Sequence, residues 1–254
     1  MNSSLTETIT HRINSRIPIR FLKQHISESF YIAGNSLNRG NPNDIDLFPS
    51  DGNPFSVSNE IWTEDGQTKS IKILSKTKNA ITTNIHVDGN SYIVQFCNYI
   101  HPSLEDLVNS FDFSHVQVGA HVNGLHDTDY KIYFTDDYVK SKLIESTEYT
   151  KSEYPLSSLL RTFKYHKRND FSGKSYFMSV FKILNDIIDR GFRDYHDFKD
   201  QLDAIDLGLL PEDFKELDMK ILVELFGKLR KDQPNTGCNG NCNCNCNHSI
   251  EDIT

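Results

Sequence analysis

No stretch of the 254-residue chain approaches the roughly 20 consecutive apolar residues that a bilayer-crossing helix needs. The opening residues, MNSSLTETITHR, show neither the basic start nor the apolar run of a secretory signal. Both absences lead us to expect a soluble, cytoplasmic protein with no membrane partner. Positive charge is also scarce: 27 Lys and Arg stand against 35 Asp and Glu, a net charge of −8. A surface of that sign does not draw in nucleic acid as a whole, so any such contact has to be local. Cysteine is nearly missing from the body of the chain. Of five, four crowd into the C-terminal tail, which excludes a secreted disulfide framework. Cys97, inside an apolar run, reads as packing.

What is present is organised around Phe30 to Phe48, FYIAGNSLNRGNPNDIDLF. Phe30-Tyr31-Ile32-Ala33 reads as a short buried strand. Gly34-Asn35-Ser36 breaks it with small and polar residues where the backbone must turn. After a polar spacer, Asp44-Ile45-Asp46-Leu47-Phe48 reads as a second strand. Alternation sends Asp44 and Asp46 to one face and Ile45 and Leu47 to the other. Two adjacent carboxylates repel, and a divalent cation is the simplest partner that relieves them. The Gly34–Ser36 turn, with backbone N–H groups and a hydroxyl, suits phosphate oxygens.

A strand, a small-residue turn ending in Ser, a spacer and then Asp-x-Asp resembles the active-site signature of the DNA polymerase β-type nucleotidyltransferases. That family includes poly(A) polymerases, CCA-adding enzymes, antibiotic nucleotidyltransferases and protein AMPylators. Its usual Gly-Gly or Gly-Ser turn is Gly34-Asn35-Ser36 here. The resemblance covers about residues 28–120. It is closest to small nucleotidyltransferase-like proteins, some of them viral, whose compartment is then the host cytoplasm. It implies that Asp44 and Asp46 are catalytic and hold Mg²⁺, or Mn²⁺ in its place, while Gly34, Asn35 and Ser36 bind the triphosphate of a nucleoside triphosphate. Val94-Gln95-Phe96 is similar to the strand that carries the family's third acid, but the position holds Gln95. Phe111-Asp112-Phe113-Ser114 is similar to an Asp-Phe-Thr-like segment of some members. Asp112 is therefore either the third catalytic carboxylate or a turn residue at a helix end.

Around this stretch the chain reads as mixed. Ile19, Phe21-Leu22 and Ile26 recur at helical spacing after a polar, frayed start over residues 1–16. Phe55 to Trp62 allows a short helix, and Ser70 to Leu74 a strand. Strands over 79–87 and 91–98 flank the hairpin residues Asp88-Gly89-Asn90. Ser103 caps a helix, Val116 and Val118 begin a strand, and Tyr130 to Phe134 form another. From Pro155 the pattern is helical, with Leu159-Leu160, Phe163, Phe177, Val180-Phe181, Leu184 and Ile187-Ile188 as its apolar face and an interruption near Asp170 to Gly173. The resulting expectation is an α/β (α+β) nucleotidyltransferase-like catalytic domain with a mixed sheet over 1–150. A helical domain follows over 155–232, then a disordered Cys/Asn-rich tail over 233–254.

Arg161, Lys164, His166, Lys167, Arg168 and Lys174 form the one basic cluster of this acidic chain. It is either a solvated helix face or a surface for phosphates, with Lys164 and Arg168 as nucleotide-binding candidates. Phe163, Tyr165, Phe171 and Tyr176, interleaved with it, would offer base stacking. In the tail, Cys238, Cys242, Cys244, Cys246 and His248 are soft donors, but their Cys-x-Cys steps are tighter than ordinary structural zinc sites. The function expected is metal-dependent transfer of a nucleoside monophosphate to an acceptor hydroxyl, with an RNA or tRNA 3′ end as acceptor. Two readings stay open beside it: an AMPylating, toxin-type enzyme, and a pseudoenzyme that binds nucleotide or RNA without turnover.

Overall fold

The computed structural model describes residues 2–38, 44–64, 66–123, 130–192, 196–197 and 200–201. These residues belong to one compact unit, Met1–Leu209. The chain opens with helices α1 (Asn2–Arg16) and α2 (Ile19–His25), strand β1 (Phe30–Ala33) and the short helix α3 (Asn35–Asn38). Strands β2 (Ile45–Pro49), β3 (Glu60–Glu64), β4 (Gln67–Lys76), β5 (Ala80–Val87) and β6 (Asn90–Cys97) follow. Next come α4 (Leu104–Asn109), β7 (Val118–Val122), β8 (Tyr130–Phe134), α5 (Asp136–Leu143), α6 (Pro155–Lys167) and α7 (Gly173–Arg190).

The strands form one eight-stranded sheet in the order β3-β4-β5-β6-β2-β1-β7-β8. Strands β2 and β6 run parallel, and the other neighbours are antiparallel. A mixed sheet followed by helices is the arrangement expected from the sequence. The turn between β5 and β6 places Asp88 at φ 50° and Gly89 at φ 75°, two successive left-handed residues, as a tight hairpin requires.

Alternation along the strands gives the sheet two different faces. One carries Phe30, Ile32, Ile45, Leu47, Val94 and Phe96 and packs with Ile9, Ile13, Phe21 and Leu22 of α1 and α2 in the main core. The other carries Tyr31, Ala33, Phe48 and Cys97, covered by Leu104, Leu107 and Val108 of α4. Helix α4 starts at Ser103, whose hydroxyl accepts from the Asp106 N–H at 3.0 Å. It settles on β7 at Gly119, where a Cβ would lie 2.7 Å from both Leu104 Cδ1 and Val108 Cγ2. Glycine is what allows that approach, and α4 in turn delivers Phe111 and Asp112.

Three parts differ from the sequence reading. Residues 1–16 are helical from Asn2, because Ile9 and Ile13, one turn apart, are fully buried against the sheet. Tertiary burial holds a helix whose own amphipathic signal is weak. The span 55–62 is no helix: it is irregular until β3 begins at Glu60 and pairs with β4. The helices after Pro155 bury small polar residues, namely Ser157, Ser158 and Thr162 of α6 with Ser175 and Ser179 of α7. Of the residues read as the apolar face, Phe163, Phe177, Phe181, Leu184 and Ile188 are exposed, while Leu159 and Ile187 pack against the third core cluster. The third core cluster, Phe113, Tyr149, Tyr165, Phe171 and Ile183, joins this helix pair to the sheet side. Most of the helical pattern expected over 195–232, and all of the tail, lie outside the described residues.

Candidate active site

The site begins where β1 ends. Gly34 has φ +79°, which an L side chain rarely adopts, and its N–H donates to the Val118 carbonyl at 2.9 Å. Its own carbonyl accepts from Leu37 N–H at 3.2 Å, closing the one-turn helix α3. Arg12, reaching over from α1, donates through Nη1 to the Leu37 and Asn38 carbonyls, each at 2.7 Å. Those carbonyls end α3, so a guanidinium there satisfies groups the helix leaves open. Lys142 of α5 donates to Asn38 Oδ1 and lies 5.0 Å from the centre of the Tyr138 ring. Ser36 is 2% exposed, and its hydroxyl donates back to the Ala33 carbonyl at 3.1 Å. Asn35 Oδ1 is buried without a hydrogen-bond partner among the described residues.

The turn meets the acids directly. A Cβ built on Gly34 would stand 3.8 Å from Asp46 Oδ2 and 3.7 Å from Phe111 Cζ. Asp46 lies on β2 with Asp44 two residues before it, and both are half-buried. Burial and then the Asp44 charge raise the Asp46 pKa to about 7, while Lys164 pulls the other way. Lys164 of α6 is thus a cation placed to act on this carboxylate. Cys97 sits behind the pair: burial, then Asp46 and Asp44, push its thiol well above the ordinary range. A thiol so disfavoured as thiolate is packing, as the sequence suggested.

Parallel pairing aligns Asp46 with Gln95 of β6, and Leu47 with Phe96. Aligned residues share a face, so the side chain beside Asp46 is an amide. Among the described residues no three His, Cys, Asp or Glu side chains come together as a metal cage.

Asp112 is placed elsewhere. It is 3% exposed, and its Oδ2 accepts from Ser158 Oγ at 2.7 Å and pairs with Arg161 Nη1 at 3.1 Å. Its Oδ1 is buried without a hydrogen-bond partner among the described residues. The basic cluster divides. Arg161, Lys164 and Arg168 are half-buried, whereas His166, Lys167 and Lys174 are exposed. Of the interleaved aromatics, Tyr165 and Phe171 are core residues and offer no stacking surface. Phe163 is exposed, and Tyr176 stacks on His166 with ring centres 4.2 Å apart.

Several residues of the site escaped sequence reasoning. Arg12 and Lys142 are single cations on helices far from residue 34 in sequence, and nothing local marks them. Tyr99, largely exposed just beyond β6, has its phenol pKa raised by burial and then by Tyr154 and Cys97, with Arg161 opposing. The Tyr154 phenol and the Arg161 guanidinium both act on Tyr99. An aromatic after an apolar strand is too common a feature to have flagged Tyr99.

No protein-family model matches the chain, and no curated protein matches it in sequence. The chain is similar to a tRNA nucleotidyltransferase crystallised with a primer tRNA and an incoming ATP analog. Identity there is 14% and the TM-score 0.39, with 84% of this chain and 60% of that one covered. It is also similar to a tRNA-processing enzyme in an apo form, at 14% identity and TM-score 0.40, covering 89% of this chain and 57% of the other. A tRNA-processing enzyme complex matches at 13% identity and TM-score 0.39, over 87% and 56% of the two chains. The chain thus spans less than two thirds of the length of each of these proteins.

Proposed function

We propose that the protein transfers a nucleoside monophosphate from a nucleoside triphosphate to an acceptor hydroxyl, using a divalent metal held by Asp44 and Asp46. The observation that carries this reading is the meeting of the Gly34 turn with Asp46 Oδ2, 3.8 Å from where a Gly34 Cβ would be. Phosphate-binding backbone and a paired carboxylate site are there one unit. The donor set fits a hard cation such as Mg²⁺ or Mn²⁺: oxygen ligands, repelling each other, with one of them held near a pKa of 7 for want of compensation. Such an ion, when bound, supplies neutralisation of triphosphate charge and acidification of the acceptor hydroxyl.

The chain's own residues do the positioning. The Asn35 and Ser36 N–H groups receive the β and γ phosphates, the Gly34 N–H being given to the Val118 carbonyl, and the absence of a side chain at Gly34 lets them approach. Lys164 sets a positive charge against the phosphates from the side of α6. Asp44 and Asp46 would hold the divalent ion that neutralises the α-phosphate where it meets the incoming hydroxyl. The acceptor oxygen forms its bond to the α-phosphorus as the bond to the bridging oxygen breaks. Pyrophosphate leaves, and the hydroxyl proton passes to solvent. Positioning and charge neutralisation supply most of such a rate enhancement.

For the acceptor, we favour an RNA 3′ end. The support is the exposed rim of Lys167 and Lys174 with Phe163 and the stacked His166–Tyr176 pair, a basic and aromatic surface on an acidic chain. A second reading, nucleotide binding without turnover, is favoured by Gln95 in the position beside Asp46. The test is incubation with each α-labelled nucleoside triphosphate, Mg²⁺ or Mn²⁺, total RNA and total protein. Label in RNA that a 3′ exonuclease removes supports the proposal. Label in protein assigns an AMPylating activity, and tight binding with no label in either fraction assigns the pseudoenzyme.

A further inference from the structure

Asp112 stands apart from the carboxylate pair and is bound into α6. Its Oδ2 is engaged twice, by Ser158 Oγ at 2.7 Å and Arg161 Nη1 at 3.1 Å. Arg161 is held in turn: its Nη2 donates to Ser157 Oγ at 3.1 Å. On the other side, the Asp112 carbonyl accepts from Thr150 N–H at 2.9 Å, and Phe111 next to it lies edge-on to Phe48, ring centres 6.2 Å apart. The same Phe111 ring borders Gly34. Asp112 therefore ties the floor of the Gly34 turn to one face of α6.

That face has a specific content. Ser157, Arg161 and Lys164 follow one another at i, i+4 and i+7, which stacks them along one side of a helix. A carboxylate that grips Arg161 sets both the rotation and the height of α6, and with them the position of Lys164. A buried carboxylate paired with a guanidinium is partly neutralised, and only Oδ1, buried without a hydrogen-bond partner among the described residues, is left to face a cation. The position aligned with Asp46 belongs to Gln95 instead.

We propose that Asp112 is a positioning residue: through Ser158 and Arg161 it fixes the face of α6 that carries Lys164 against the floor of the Gly34 turn, and it does not act as a third metal-binding carboxylate. The proposal rests on the nucleotidyl-transfer reading, because Lys164 has a purpose there only if a triphosphate binds.

The test combines Mn²⁺ binding followed by electron paramagnetic resonance with nucleoside triphosphate affinity, on wild type, Asp112→Asn, Lys164→Gln and the double variant. Asp112→Asn is expected to keep Mn²⁺ affinity within about twofold and to lose triphosphate affinity by about tenfold, the range for a charge-assisted contact. Lys164→Gln is expected to lose a similar factor, and the double variant no more than Lys164→Gln alone. A role confined to general stability predicts additive losses and is excluded by that non-additivity. If Asp112→Asn alone leaves Arg161 too poorly compensated to fold, Asp112→Asn with Arg161→Gln removes both charges and is read in the same way. Loss of Mn²⁺ binding in Asp112→Asn, matching Asp44→Asn, overturns the inference. So does additivity with Lys164→Gln. A wild-type protein that binds Mn²⁺ but no triphosphate overturns the functional reading itself, and is distinguished from both of those results.

Discussion

Asp46 and Gln95 stand side by side across a parallel pair of strands, a carboxylate and an amide on the same face of the sheet. The amide adds no negative charge, so the pair Asp44–Asp46 is as acidic as this part of the sheet becomes. Replacing Gln95 with Asp would set a third carboxylate beside Asp46. We expect Gln95→Asp to tighten Mn²⁺ binding by about tenfold or more and to lower the metal-free melting temperature, because like charges on neighbouring strands repel. Calorimetric titration with and without metal checks both. Unchanged Mn²⁺ affinity would mean that position 95 does not face the cation.

Asp44→Asn and Asp46→Asn should each abolish nucleotidyl transfer and weaken Mn²⁺ binding strongly. Neither should lower metal-free stability, since each removes one member of a repelling pair. Near-wild-type transfer by either variant at saturating Mg²⁺ would sink the metal assignment.

The raised pKa of Asp46 makes stability depend on pH in a definite direction. Its pKa is about 7 folded against an ordinary carboxylate value near 3.8. The folded state therefore binds more protons between those values, and stability falls as pH rises through that window. The loss is complete above about pH 7 and is on the order of a few kcal/mol. Asp46→Asn should then stabilise the metal-free protein more at pH 8 than at pH 5. Mn²⁺ affinity of the wild type should rise over the same interval, because the cation displaces the proton. Thermal unfolding at the two pH values decides it, and equal gains would contradict the raised pKa.

Ser36→Ala removes a buried hydroxyl that donates to the Ala33 carbonyl. Leaving that carbonyl without this donor should cost about 1 kcal/mol, a fall of about 2–4 °C in melting temperature for a domain of this size. Triphosphate affinity should fall less than in Lys164→Gln, since the backbone of the turn remains. An Ala variant unchanged in both measurements would remove Ser36 from the site.

Gly119→Ala should destabilise the protein by about 1–3 kcal/mol, because the new Cβ meets Leu104 and Val108 of α4 at 2.7 Å. Displacing α4 also moves Phe111, so transfer should slow while Mn²⁺ binding at Asp44 and Asp46 persists. An unchanged melting temperature would show that α4 shifts without cost.

Local pattern was enough for the elements whose signal is local. Two strands around Gly34, the alternation of Asp44 and Asp46 against Ile45 and Leu47, and the Asp88-Gly89 hairpin depend on neighbours a few residues apart. The φ preferences of glycine and the two-residue period of a strand act at that range. The Ser103 cap and the helix break near Gly173 were legible for the same reason.

Other features depend on contacts that no local pattern encodes. Helix α1 exists because Ile9 and Ile13 reach the sheet, and Arg12 supports α3 from a helix more than twenty residues away in sequence. The helical pair was misread in part: Leu159 and Ile187 pack inward, but apolar periodicity marks a stripe and does not say what faces it. Here the buried side is set by Asp112 and Ser158, Arg161 and Ser157, and Ser179 with the Tyr149 N–H. Asp112–Ser158 and Ser179–Tyr149 join residues 46 and 30 apart in sequence, and they act beside the buried Tyr165 and Ile183 of the third core cluster. Sequence alone determined that two acids would share a face beside a glycine turn. Only tertiary structure decided that α6 would bring the Lys164 charge to bear on Asp46, that Gln95 would stand next to Asp46, and that Asp112 would pair with Arg161.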